Sequence, residues 1–376
     1  MRRTGLSDLP LHEGKAPPWL IRRMIKLSNA ILEILIDEYG TFELLKRLSD
    51  PFWFQAFSCV LGYDWHSSGT TTVTMGVLKT VINKSDKFKL FVAGGKGATS
   101  LKTPTELQML KQRFGFNDDE ISYFIQVSKL FAKVDNTLLQ EGFNLYHNSL
   151  IIEEEGRWAV IQQGMDPYLH YARRYHWLSD RKIDFVNEPH TGIISNLKRD
   201  IVLDLTSRKS SETRKNILEL IQDSPRELEY ALLRIQDPHQ SRLIGISNID
   251  RRVIEAIKLN KIPYLKMPRK INWNALKQAY RLSISQFEDF ILIKGVGPAL
   301  VRSLALVSML IWGTPISWKD PVKYSFAHGG KDGVPYPVDL KRMERTASIL
   351  EGAITQAKLG YKDKLFALKR LKNMLK

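Results

Sequence analysis

The chain of 376 residues has a single cysteine, Cys59. Intrachain disulfides are therefore excluded, and so are zinc or iron-sulfur sites built from several thiolates. Long hydrophobic runs are also lacking: the longest candidate, Leu304 to Trp312, stops at Gly313, well short of the roughly 18 apolar residues that a membrane span needs. Arg2 and Arg3 open the chain, but Gly5 to Pro10 is too polar and broken to form the apolar core of a secretory signal. A cytoplasmic protein is expected. There is no internal repeat, heptad run or low-complexity segment.

Negative charge is the scarcer sign. Against 56 Lys and Arg stand 40 Asp and Glu, a formal net charge of +16, which favours a polyanionic partner. The excess is uneven, since residues 261–376 hold 21 basic side chains and 8 acidic ones. With 43% hydrophobic residues the chain has ample material for buried cores.

The periodicity predicts an α+β fold. Leu20, Ile21, Met24, Leu27, Ile31, Ile34 and Leu35 recur at helical spacing after Pro17-Pro18, and Asp50-Pro51 opens a helix carrying Phe52, Trp53, Phe54 and Phe57. Thr70 to Ile82 reads as a helix and Lys87 to Ala93 as a strand leading into Gly94-Gly95-Lys96-Gly97. Asn117 to Glu120 starts another helix. Leu145 to Ile152 and Trp158 to Gln162 flank a charged, Gly-containing turn, the pattern of a β-hairpin. Pro167 to Trp177, dense in Tyr, His and Arg, reads as a helix. Beyond Ser211 only helical patterns appear, so the expected division is an α+β domain over 1–209 and a helical, basic domain over 210–376.

The sharpest local signal is Lys294-Gly295-Val296-Gly297-Pro298, between an apolar run ending at Ile293 and the helical pattern Leu300, Val301, Leu304, Ala305, Val307. It resembles the helix-hairpin-helix family, over about residues 284–311. Two glycines around one apolar residue permit a tight hairpin, and Pro298 suits the first turn of the second helix. The exposed amides then face a phosphate oxygen, with Lys294 and Arg302 adding charge. Lys319, Lys331, Arg173 and Arg174 are further candidates for nucleic-acid contact. The expected partner is DNA, gripped by its backbone with little sequence preference, which implies a nucleoid-associated protein.

Two chemistries are open. Many base-excision glycosylases carry such a hairpin with a catalytic Asp beyond a Gly-x-Pro-like turn, and Gly313-Thr314-Pro315 followed by Asp320 is a loose echo of it. A lyase would also need an amine where this chain has Ala299. The alternative is a metal-dependent nuclease using Mg²⁺ or Mn²⁺. Its candidate catalytic residues are Asp64, His66, Lys96 and Asp135, with Asp64, His66, Asp135 and His147 as candidate metal ligands. Gly94-Gly95-Lys96-Gly97 lacks the Gly-Lys-Ser/Thr ending of a nucleotide-binding loop, so ATP hydrolysis is not indicated. A non-catalytic DNA-binding or partner-recruiting factor is the rival expectation.

Leu9 to Lys15, Ser49 to Gln55, Asp64 to Gly69, Gly94 to Gly97, Gln162 to Met165 and Ser325 to Gly333 together resemble the archaeal and bacterial domain-of-unknown-function 763 family, over nearly the whole chain. The resemblance implies a prokaryotic setting and no particular reaction.

Overall fold

The computed structural model describes residues 16–63, 69–179, 183–222, 248–259, 261–266, 271–323 and 340–374. It is an α+β protein whose central element is a five-stranded antiparallel sheet in the order β1-β3-β4-β5-β6. The strands are β1 (Leu90–Lys96), β3 (Asn144–Glu153), β4 (Trp158–Met165), β5 (Ala172–Leu178) and β6 (Gly192–Ser195). A second pair joins β2 (Leu139–Gln140) to β7 (Leu203–Asp204).

Helices cover both faces, and side-chain alternation sends successive residues of each strand to opposite layers. One layer contains α1 (Pro18–Tyr39), α2 (Thr41–Leu48), α3 (Pro51–Leu61) and α4 (Gly69–Asn83), packed on Val92, Ile151, Ala159 and Ile161. The opposite face presents Phe91, Leu150, Trp158, Val160 and Trp177 to a second core. That core is built with α5 (Thr103–Leu107), α6 (Leu110–Phe114), α7 (Asp118–Lys133) and α8 (Ser211–Gln222).

The later helices are α9 (Asn248–Lys258), α10 (Trp273–Arg281), α11 (Phe287–Leu292), α12 (Pro298–Trp312), α13 (Leu340–Gln356) and α14 (Tyr361–Met374). Phe290, Val296 and Leu304, on α11, α12 and the turn between them, share one core with Phe131 and Trp158, whereas Leu350 and Leu371 join the core of α1 and α3. Both cores therefore run across the expected boundary at residue 209, and hydrophobic packing does not divide the chain there.

Local signals place the ends of several helices. Asp50 accepts from the amides of Phe52 at 2.8 Å and Trp53 at 3.2 Å, with Pro51 at the first helical position. Asn117 and Glu120 form a reciprocal capping box on α7, at 2.9 and 2.8 Å. The expected hairpin is β3 and β4, turning through Gly156 at φ +84°. One assignment is corrected. Pro167 to Trp177 is not a helix: it turns and then forms β5, where Arg173, Tyr175 and Trp177 face one layer and Arg174 and His176 the other.

Candidate functional site

The turn from α11 to α12 packs Val296 inward. Val296 is buried, its amide donates to the Ile293 carbonyl at 3.1 Å, and its carbonyl accepts from Lys133 Nζ at 2.5 Å. Burial pushes the Lys133 ammonium below its ordinary pKa. Asn272 caps α10 through the Ala275 amide at 3.2 Å and donates to the Gly295 carbonyl at 3.3 Å. Gln140 Nε2 donates to the Pro298 carbonyl at 2.8 Å. Carbonyls of the turn are thus held by protein donors, while the amides of Gly295, Gly297 and Ala299 find no acceptor among the described residues. Lys294 and Gly295 are exposed, and Gly297 and Ala299 half-exposed.

Gly295 is required by the backbone. Its φ is +94°, and an added Cβ would lie 2.4 Å from Asn272 Nδ2. Gly297 is extended, with φ −149°, and an added Cβ would meet nothing within 4 Å.

Three expected cationic contacts lie inside the protein instead. Arg302 is buried, donating to Gln140 Oε1 and the Lys266 carbonyl, and burial pushes its pKa down to about 10. Arg174 is fully buried against Gln55 at 3.1 Å, Thr71 and the Pro51 carbonyl at 3.3 Å each, and Phe54; burial lowers it to about 9. Arg173 is likewise fully buried and binds Asp320 through two bonds of 3.0 and 2.8 Å, and Glu141 as well. None of the three is presented to a strand of DNA.

Asp320, the expected glycosylase carboxylate, is occupied from several sides. Besides Arg173 it accepts from the amides of Arg199 at 2.7 Å and Val322 at 3.0 Å. Such a carboxylate serves as a structural anchor, at the edge of the cleft that also includes His190. The neighbouring Glu141 explains the charge balance. Burial pushes its carboxyl up to about 8, against the pull of Arg173 and with the help of Asp320, while Tyr175 donates to it. One guanidinium thus serves two buried carboxylates, and burial favours the neutral form of Glu141 more than in an ordinary glutamate.

Asp135 joins three side chains from separate segments of the chain. A π-helical segment, Val134–Leu138, prolongs α7 and turns Asp135 into the protein, where it is fully buried. Its Oδ2 accepts from Gln162 Nε2 at 2.7 Å and Trp177 Nε1 at 3.0 Å, and its Oδ1 pairs with His190 Nε2. Among the described residues nothing bonds the other ring nitrogen of His190, and this residue lines a cleft of about 540 Å³. Lys198, Lys319 and Lys323 are exposed at that cleft, which also includes Glu188 and Asp204. Glu188 adopts φ +52°, an uncommon conformation for a residue with a Cβ. Burial raises the Asp204 carboxyl above its usual range, opposed by bonds from the Thr206 hydroxyl and amide at 2.6 and 2.9 Å. His190 is the functional candidate that sequence reasoning missed; its only signal was a polar Glu188-Pro189-His190 within an irregular stretch.

The remaining N-terminal candidates do not gather with Asp135. Asp64, His66 and Lys331 lie outside the described residues. Lys96 is exposed at the end of β1, in register with His147, which in turn lies opposite Gln163. Gln163 bonds Thr71 of α4, whereas Gln162 bonds Asp135, so His147 and Asp135 are on opposite faces of the sheet and cannot ligate one ion. Burial, with Lys96 and Lys79 adding to it, holds His147 down at about 3. Among the described residues no group of three or more His, Cys, Asp or Glu side chains is placed to hold a metal ion. Likewise, no helix among them is long and apolar enough to cross a membrane.

Comparison with curated proteins and with solved structures finds no match. A family model does match, over residues 5–338, and it is described as a protein of unknown function, DUF763. The structural core assembled above falls largely within that span, and the chain belongs to the DUF763 family.

Proposed function

We propose that this protein binds DNA through the phosphate backbone, using the turn between α11 and α12 as a helix-hairpin-helix. The observation that carries this reading is the polarity of the turn: its carbonyls are held by Lys133, Asn272 and Gln140, and the amides of Gly295, Gly297 and Ala299 are left for an outside acceptor. A phosphate oxygen is such an acceptor, favoured by the N-terminus of a 15-residue helix and by the exposed Lys294. The basic surplus of residues 261–376 supports the same partner.

Fluorescence anisotropy with labelled duplexes of unrelated sequence, over a series of salt concentrations, tests the proposal. Affinity should be similar for every sequence and fall steeply with salt. Gly297→Val keeps an allowed backbone but covers the amide, and should weaken binding by about tenfold or more. Unchanged affinity and salt slope in that variant would falsify the assignment.

Processing of the bound DNA is a second reading, favoured by the Asp135–His190 pair beside three exposed lysines. A carboxylate that orients an imidazole is the usual arrangement for proton transfer. Duplexes with abasic sites, flaps or junctions, incubated with Mg²⁺ or Mn²⁺, should be altered by the natural protein and not by His190→Gln. Binding without any alteration of substrate leaves the non-catalytic factor as the better account.

A further inference from the structure

The connection from β4 to β5 ends in an exposed tip, residues 167–170, where Tyr168 is 77% and Leu169 50% exposed. Asp166, itself only 1% exposed, holds the base of this tip. Its Oδ1 accepts from the amides of Tyr168 at 2.7 Å and Leu169 at 2.9 Å, and its Oδ2 pairs with Arg199. The Asp166 amide donates to the Tyr171 carbonyl at 2.9 Å, and its carbonyl accepts from the amide of His170 at 3.1 Å. Two large side chains are therefore presented to water on a backbone that is already fixed, so little backbone entropy is lost when they enter an apolar site.

Arg199 joins the tip to the residues that hold the α11–α12 turn. Its Nε donates to the Glu141 carbonyl at 3.2 Å, and Gln140, next in the chain, donates to the Pro298 carbonyl at 2.8 Å. Its guanidinium also lies 4.9 Å from the centre of the Tyr264 ring, and the carbonyl of Lys266, two residues on, accepts from Arg302 of α12. The tip and the open amides of the turn thus share one support, and Lys198, beside Arg199 in the chain, is exposed. Size decides between occupants. Two such side chains offer roughly a few hundred Å², short of the roughly 1,000 Å² that a stable protein–protein contact buries, whereas opening one base step takes only one or two apolar side chains.

We propose that Tyr168 and Leu169 wedge into the base stack of a duplex held by the α11–α12 turn, which directs the protein to duplexes whose stacking is already broken, as at a mismatch. Insertion sacrifices the stacking of one step, and a broken step has less to lose. This inference rests on DNA binding by that turn.

Fluorescence anisotropy of the full-length protein with an intact duplex, and with one carrying a central mismatch in otherwise equal sequence, tests it. The natural protein should bind the mismatched duplex about tenfold more tightly, and 2-aminopurine placed beside the mismatch should brighten on binding as it loses its stacked neighbour. Both side chains are exposed, so the double variant Tyr168→Ala/Leu169→Ala should keep the thermal midpoint of the natural protein while losing the preference and the brightening. A double variant that retains both overturns the wedge, and so does a natural protein that binds the two duplexes equally. Dimerisation with rising concentration that the double variant abolishes also overturns it, assigning the tip to a second copy. Weaker binding of the intact duplex by Gly297→Val, with the double variant behaving as the natural protein, removes the wedge alone and keeps the turn as a DNA contact; no effect of Gly297→Val removes both.

Discussion

The indole N–H of Trp177 donates to Asp135 at 3.0 Å, tying strand β5 to the π-helical end of α7. Gln162 and His190 complete the set of donors, so a carboxylate that is fully buried has hydrogen bonds from three side chains. Asp135→Asn replaces one acceptor oxygen with an NH₂ group that opposes these donors. It should destabilise the protein by about 2–4 kcal/mol, measurable as a lower urea midpoint with an unchanged slope.

The cluster of Arg173, Glu141 and Asp320 should make stability depend on pH. In the folded protein burial pushes the Glu141 carboxyl up to about 8, whereas the unfolded chain releases its proton near the ordinary glutamate value of 4.5. The folded state therefore binds the extra proton between these values, and this contribution to stability is lost as pH rises through the window. Glu141→Gln imitates the protonated form and should flatten the decline. Equal pH slopes for the variant and the natural protein, measured by urea denaturation, would contradict the assignment.

The two glycines of the α11–α12 turn should behave differently. Gly295→Ala forces a Cβ against Asn272 at φ +94° and should cost about 1–3 kcal/mol. Gly297→Ala has open space and an extended backbone, and its thermal midpoint should stay within error of the natural protein's.

Lys294 and Arg302 separate binding from folding in the same way. Lys294 is exposed, so Lys294→Ala should leave stability alone and reduce the salt slope of DNA binding by about 1. Arg302 is buried between Gln140 and the Lys266 carbonyl, so Arg302→Ala should be read out chiefly as lost stability. A full-strength salt slope in Lys294→Ala would remove this lysine from the proposed DNA contact.

His147 should remain neutral across the physiological range, because burial and two nearby lysines hold it at about 3. Its ring proton resonances should show no titration step between about pH 5 and pH 8, where an ordinary imidazole changes charge.

The elements whose cores face one way were legible in the residues. The stripe Met24, Leu27, Ile31, Leu35 has the helical period and is buried as such, and the Asn117–Glu120 box begins α7 as its pattern implies. Strand β5 was not legible, because both of its faces are polar and both are buried. Arg173 and Tyr175 reach one network, Arg174 and His176 the other, so hydrophobic alternation had nothing to report. The candidate cleft was half visible: Asp135 was singled out, but His190 joins it from 55 residues further along the chain.

Composition and local pattern by themselves determined the α+β class, the single-thiol chemistry, the basic surplus and the glycine-proline turn at 294–298, since each depends on residue type or near-neighbour spacing. Tertiary structure alone decided which charges are available to a ligand. Arg173, Arg174, Arg302 and Asp320 look like surface groups in the sequence, yet each finds its partners inside the fold, contributed mainly by segments far away in the chain. Burying a charge is favourable only when such partners converge on it, and that convergence is a property of packing, which no local stretch of residues encodes.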